Sequence, residues 1–212
     1  MEEITQSACI TVLSVDDHPL LREGIAAIIN SQPDMRLTAV ASNGREGIQK
    51  FREHQPDVAL MDLRLPDLSG IDALIAIRSE FAKARIIMLT TFNGDVDIQR
   101  ALKAGAYGYL LKSTPRKELL EAIRKVHSGK KNVPPEVAAT LAEHLSVETL
   151  SEREIDVLRH LAGGNRNKDI AKRLFISEET VKVHIKHIME KLGASDRTQA
   201  MSIAARRGII HL

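Results

Sequence analysis

The chain has 212 residues, 43% hydrophobic and 3% aromatic, with one cysteine, no tryptophan and a net charge of +2. That length accommodates one or two ordinary packed domains, and the lone Cys9 excludes an internal disulfide framework or a multi-cysteine zinc site. The scarcity of aromatics argues against recognition by base stacking, and the mild charge is weak support for a nucleic-acid partner on its own.

The start, Met1-Glu2-Glu3, has neither a basic segment nor a long apolar one, so no secretory signal is expected. No apolar stretch approaches the roughly 20 residues of a membrane span, and a cytoplasmic location is expected. Residues 1–144 carry 18 Lys and Arg against 19 Asp and Glu, whereas residues 145–212 carry 12 against 9.

Short apolar runs predict strands near 10–15, 37–40, 58–61, 86–89 and 108–111. Most are continuously apolar, as strands covered on both faces should be. Helical patterns lie between and after them, near 19–30, 44–53, 70–79, 95–104 and 115–128. In the first, Leu20, Leu21, Ile25, Ile28 and Ile29 make a helical stripe. Five strands each followed by a helix imply an α/β fold with a parallel, doubly wound sheet and right-handed crossovers. The alternation ends at Ser128-Gly129-Lys130-Lys131. A linker is expected over 129–148, partly helical near 136–145 after Pro134-Pro135.

The remainder has no strand signal. Leu150-Ser151-Glu152-Arg153-Glu154 reads as a capping box, opening a helix that stops at Gly163-Gly164. Further helices are expected near 167–174, from 178 to 192, and near 196–207. The second and third, joined by Phe175-Ile176-Ser177, have helix-turn-helix spacing.

In an open parallel sheet, functional groups gather outside the carboxyl ends of the strands. The strand ends here carry Asp16-Asp17, Asp62, Thr90 and Lys112. Two like charges about 4 Å apart repel by roughly 4 kcal/mol at an effective dielectric of 20, so three carboxylates call for a cation. Oxygen ligands suit Mg²⁺. Lys112 offers a fixed charge for a phosphate oxygen and Thr90 a hydroxyl donor. A carboxylate can itself attack phosphorus. On the third helix of the tail, Val181, Ile185, Ile188 and Leu192 share one face, and Lys182, Val183 and Lys186 lie away from it. Lysine can donate to guanine edges or phosphates, and valine can touch a thymine methyl.

The order Val-Asp-Asp-His, Met-Asp-Leu-Arg-Leu-Pro-Asp, Leu-Thr-Thr and Leu-Leu-Lys-Ser resembles the flavodoxin-like receiver domain of two-component response regulators over residues 9–128. The resemblance implies that Asp62 accepts phosphate from a sensor histidine kinase. It implies Asp16, Asp17, Asp62 and the main-chain oxygen of Arg64 as Mg²⁺ ligands, Lys112 as the phosphate-binding lysine, and Thr90 with Tyr109 as a switch pair.

Leu-Ser-Glu-Arg-Glu, Asn-Lys-Asp-Ile-Ala and Thr-Val-Lys-Val-His-Ile-Lys resemble the LuxR-type helix-turn-helix of NarL/FixJ regulators over 149–212. That resemblance implies double-stranded DNA contacts from Lys182, Val183 and Lys186, with Thr180, Ser177, Asn167 and Lys168 near the backbone. It also implies dimerisation through Arg197, Gln199, Ala200 and Ala204. Promoter half-sites, the kinase, a second copy of the chain and RNA polymerase are the implied partners, with no membrane. Its only chemistry would be self-phosphorylation and self-dephosphorylation, not turnover of a substrate.

Arg64 and Phe92, each two positions beyond a site residue, are expected to hinder water and slow dephosphorylation. Two other classes stay open. An acid-cluster phosphatase would want a second Asp near Asp62, where position 64 is Arg. A constitutive DNA-binding protein with a vestigial receiver would not need Asp62, Thr90 and Lys112 together.

Overall fold

The computed structural model describes residues 9–91, 94–133, 135 and 150–210. The chain forms two compact units. The first is built on a parallel sheet of β1 (Ile10–Val15), β2 (Met35–Ala41), β3 (Val58–Asp62), β4 (Ile86–Thr90) and β5 (Gly108–Leu111), in the order β2-β1-β3-β4-β5. Helices α1 (Pro19–Asn30), α2 (Gly44–His54), α3 (Gly70–Glu80), α4 (Asp95–Lys103) and α5 (Arg116–His127) follow the strands in turn.

One face of the sheet packs Val12, Val58, Leu60, Ile87, Leu89 and Leu110 against Ile25 and Ile29 of α1 and Leu119, Ile123 and Val126 of α5. These side chains alternate along each strand, so their neighbours Leu13, Ala59, Met61 and Met88, also buried, point the other way. Burial on both faces explains the unbroken apolar runs of β3 and β4.

β2 starts two residues before the predicted 37. It is an edge strand and is half-exposed, so Arg36 and Thr38 interrupt its apolar signal. Its register against β1 slips between Val12 and Leu13, and the Thr38 hydroxyl donates to the Val12 carbonyl at that slip (3.1 Å). After α5 the chain returns to the sheet edge. Asn132 exchanges main-chain hydrogen bonds with Tyr107 and Tyr109 (2.7 and 3.1 Å), so the first unit continues past Gly129. The helix expected near 136–145, with Pro134, lies outside the described residues.

Among the described residues of the second unit lie the helices α6 (Glu152–Ala162), α7 (Asn167–Leu174), α8 (Glu178–Leu192) and α9 (Arg197–Arg206). Their core joins Val157, Leu158 and Leu161 to Ile170, Val181, Ile188, Leu192, Ala200 and Ala204. Side chains cap three of the four N-termini: Ser151 accepts from the Glu154 amide, Ser177 from Thr180 and Asp196 from Gln199. Ala200 and Ala204 are buried in this core, which leaves Arg197 and Gln199 as the exposed members of the four residues expected to dimerise.

The capping box of α6 does more than close one helix end. One oxygen of Glu154 accepts from the Ser151 amide (2.7 Å), the Ser151 hydroxyl (3.0 Å) and Lys191 Nζ of α8 (2.9 Å). Burial pushes the Glu154 carboxyl up, but the Lys191 and Ser151 hydrogen bonds outweigh it and hold the group below the usual glutamate range. A carboxyl whose folded pKa is depressed stabilises the fold above its unfolded pKa, and that contribution fades as pH falls through the folded value. Glu154→Gln is therefore expected to cost about 1–3 kcal/mol at neutral pH. The difference from wild type should close under acid conditions. Amide exchange in α6 and α8 as a function of pH measures it; a deficit independent of pH would contradict the ionic role.

Candidate functional site

The carboxyl ends of β1 and β3 and the residue after β5 bring three groups together. Lys112 Nζ lies 2.7 Å from Asp62 Oδ2 and 2.8 Å from Asp16 Oδ2. The side chains of Lys112, Asp16 and Asp62 are 10%, 0% and 3% exposed. Asp62 closes the buried strand β3, so its carboxylate is held by a rigid element. Gly70 N–H donates to the Leu63 carbonyl (2.9 Å), folding the loop after Asp62 back onto the start of α3.

Burial raises the Asp62 pKa above the usual carboxylate range, against the opposing pull of Lys112; the neighbouring Asp16 charge raises it further. Burial lowers the Lys112 pKa, yet the adjacent Asp16 and Asp62 carboxylates prevail and hold it above the ordinary lysine value. Lys112 is thus a fixed cation between two carboxylates.

Asp17 is more open, with a side chain 38% exposed. One ligand atom from each of Asp16, Asp17, His18 and Asp62 lies within 4.8 Å of the others. Asp16 Oδ2 is buried and has no hydrogen bond of sound geometry among the described residues; the Lys112 ammonium faces it as counter-charge. Three carboxylates against one ammonium leave a negative site of oxygen donors, which fits Mg²⁺. Arg64 is exposed, and its amide donates to Asp62 Oδ1 (3.2 Å). Phe92 lies outside the described residues.

Thr90 and Tyr109 are both buried, on the neighbouring strands β4 and β5. Tyr109 pairs with Met88, two residues before Thr90, so Tyr109 and Thr90 share one face of the sheet. The Lys112 amide donates to the Thr90 carbonyl (2.6 Å), fixing the lysine's backbone beside the threonine.

Several supporting residues escape a sequence reading. Arg22 of α1 donates to the Asp16 carbonyl (2.6 Å). Asp67 accepts from the amides of Gly44 and Arg45 (2.8 and 3.1 Å), tying the loop after β3 to the N-terminus of α2. A Pro-Asp pair signals a turn, but nothing local names α2 as its partner.

In the second unit, Val181 and Ile188 are buried, and Ile185 packs half-buried beside them. Lys182, Val183 and Lys186 are exposed together on the other side of α8. Among the described residues the lysines pair with Glu179 (3.0 Å) and Glu190 (3.7 Å) of the same helix, and such exposed pairs are worth little. The hydroxyls of Ser177 and Thr180 stand 2.8 Å apart at the start of α8. Lys168 is exposed and Asn167 half-buried at the start of α7. Phe175, in a left-handed conformation (φ 55°), turns the chain between α7 and α8 and is itself 93% exposed. No described helix is long and apolar enough to cross a membrane.

Residues 12–124 match the response regulator receiver domain, and residues 148–204 match the family described as bacterial regulatory proteins, luxR family. The transcriptional regulatory protein YxjL of Bacillus subtilis is 41% identical, over 95% of this chain and 97% of its own. The response regulator protein VraR of Staphylococcus aureus is 36% identical, over 95% of this chain and 99% of its own. Among solved structures, the RcsB response regulator of Salmonella typhimurium aligns with a TM-score of 0.69 at 26% identity, over 92% of this chain and 99% of that one. RcsB has also been solved as a complex with DNA. The sheet topology, the strand-end acid cluster and these matches along nearly the whole chain place it in one family: it is a two-component response regulator with a receiver domain and a LuxR-type domain.

Proposed function

We propose that Asp62 accepts a phosphoryl group from a sensor histidine kinase, and that this controls dimerisation and sequence-specific binding of double-stranded DNA. The observation that carries the reading is the Asp62 carboxylate itself, anchored at the end of a buried strand, 2.7 Å from Lys112 and within the acid cluster. A carboxylate oxygen attacks phosphorus as the bond to the kinase's phosphohistidine breaks. Asp16, Asp17, Asp62 and the main-chain oxygen of Arg64 would hold Mg²⁺. When bound, that ion neutralises charge on the phosphoryl oxygens. Lys112 exchanges one carboxylate partner for a phosphoryl oxygen.

Phosphorylation adds about −1.5 to −2 charge at Asp62. Thr90 turns its hydroxyl toward the new oxygens and Tyr109 takes up the space released. The buried position of both on one sheet face supports that coupling. The receiver spans 9–128, the linker 129–148, with its first residues held at the receiver's sheet edge through Asn132, and the DNA-binding domain 149–212. Lys182, Val183 and Lys186 read the major groove, and Ser177, Thr180, Asn167 and Lys168 meet the backbone. The RcsB–DNA complex supports this use of the fold. Dimers set two half-sites about one DNA turn apart, with the exposed Arg197 and Gln199 face of α9 as the contact; RNA polymerase is a further partner in this reading. The chain acts in the cytoplasm.

The test is DNA selection and binding with and without a small phosphodonor and Mg²⁺. Wild type should gain affinity with the donor, and Asp62→Asn should not. An equal response in both would overturn the assignment of Asp62. Donor-insensitive binding in wild type would favour a vestigial receiver.

A further inference from the structure

We infer that His18 is a ligand of the metal site, and that its imidazole biases the site toward divalent cations that take nitrogen donors. The inference rests on reading the acid cluster as a metal site. His18 occupies the N-cap of α1, where Ser, Thr, Asp or Asn is favoured because a short side chain can accept a helix amide. Its side chain makes no capping hydrogen bond. The ring turns instead to the carboxylates: Nδ1 lies 2.7 Å from Asp17 Oδ1, 3.2 Å from Asp16 Oδ1 and 3.5 Å from Lys112 Nζ. The His18 amide donates to Asp16 Oδ1 (2.8 Å), which fixes the backbone from which the ring projects.

Two ligands of one ion, each at roughly 2.1 Å, stand at most about 4.2 Å apart. The ligand atoms of Asp16, Asp17, His18 and Asp62 already lie within 4.8 Å of one another, so a movement of some tenths of an ångström closes the set. The charge balance points the same way. Three carboxylates face one ammonium, and Asp16 Oδ2, fully buried, has no well-directed hydrogen bond among the described residues. A divalent cation completes that balance. Mg²⁺ is satisfied by oxygen, whereas Co²⁺ and Zn²⁺ bind imidazole well. With its ring proton on Nε2, His18 presents the Nδ1 lone pair to the ion in place of the contact to Asp17, which adds affinity for the second kind of ion and little for the first.

The bland alternative has His18 orienting Asp17 through a hydrogen bond, and the two roles separate by experiment. The full-length protein is titrated with Mg²⁺ and with Co²⁺ by calorimetry, and the Co²⁺ complex is followed by visible absorption. Asp17→Asn reports binding elsewhere on the chain. His18→Ala and His18→Gln should each weaken Co²⁺ binding by about tenfold or more, change its absorption bands, and alter Mg²⁺ affinity by less than about twofold. Equal weakening of both ions, or an unchanged Co²⁺ spectrum, overturns the inference and leaves the Mg²⁺ site standing. Wild-type protein that binds neither ion overturns the metal site itself.

Discussion

Replacing Gly70 by alanine is expected to destabilise the receiver by about 3 kcal/mol or more and to disable its acid site. A Cβ at Gly70 would stand 1.9 Å from the Asp62 carbonyl oxygen, 2.9 Å from its carbon and 3.1 Å from Leu63 Cα. All three are main-chain atoms at the end of a buried strand, so no side-chain rotation relieves the clash. Either α3 or the end of β3 must move, and β3 carries Asp62. Gly24→Ala is the matched control. Nothing lies within 4 Å of a Cβ at Gly24, inside α1, and alanine there should stabilise by about 1 kcal/mol through helix propensity alone. Chemical denaturation of both variants, with Mg²⁺ titration of the folded protein, measures the contrast. A Gly70→Ala protein as stable as wild type would show that α3 does not hold the loop after Asp62.

The second large effect belongs to Lys112. Its ammonium is the close counter-charge of both Asp16 and Asp62, and all three side chains are nearly buried. Removing one partner of a buried pair costs about 3–5 kcal/mol, because the remaining charge is left uncompensated. Lys112→Ala should lose that order of stability at neutral pH.

The pH dependence has a defined sign. Burial already raises the Asp62 pKa in wild type, so the carboxyl holds a proton more tightly in the folded than in the unfolded chain. A group with a raised folded pKa stabilises fully below its unfolded pKa, and the contribution is lost as pH rises through the folded value. Without Lys112 the rise is larger. The variant should therefore be least impaired in acid and lose stability steadily as pH rises through the carboxylate range. Wild-type Lys112, with its own pKa raised, keeps its contribution until strongly alkaline pH. Mg²⁺ should restore part of the loss by supplying the missing cation. Denaturation across pH, with and without Mg²⁺, reads all three effects; a deficit that neither acid nor Mg²⁺ reduces would mean that Lys112 acts mainly by packing.

The parts of the molecule readable from sequence are those with a local signature. β3 and β4 are continuous apolar runs, so Asp62 and Thr90 stand out at their ends. Ser151 and Glu154 sit at capping-box spacing, and the contact is made. Where a residue's role depends on a distant partner, local pattern is silent. Asp67 caps α2 across 23 positions, and Lys191 reaches Glu154 across 37. Ala200 and Ala204 are small residues on a short helix, and only the packed structure shows them facing inward. β2, half-exposed at the edge, lacks the unbroken apolar run that marks a buried strand. His18 is identifiable as a residue beside two acids, but the direction of its ring follows from the cap it fails to make.

The most direct measurement is to locate the phosphoryl group. Full-length protein is treated with a small phosphodonor and Mg²⁺, digested under acid conditions that preserve acyl phosphates, and mapped by mass spectrometry. The expected result is a single Mg²⁺-dependent phosphoryl group on Asp62, absent from Asp62→Asn. A phosphoryl group on another residue, or none on a folded protein that binds Mg²⁺, would contradict the assignment of Asp62 as the input of the switch.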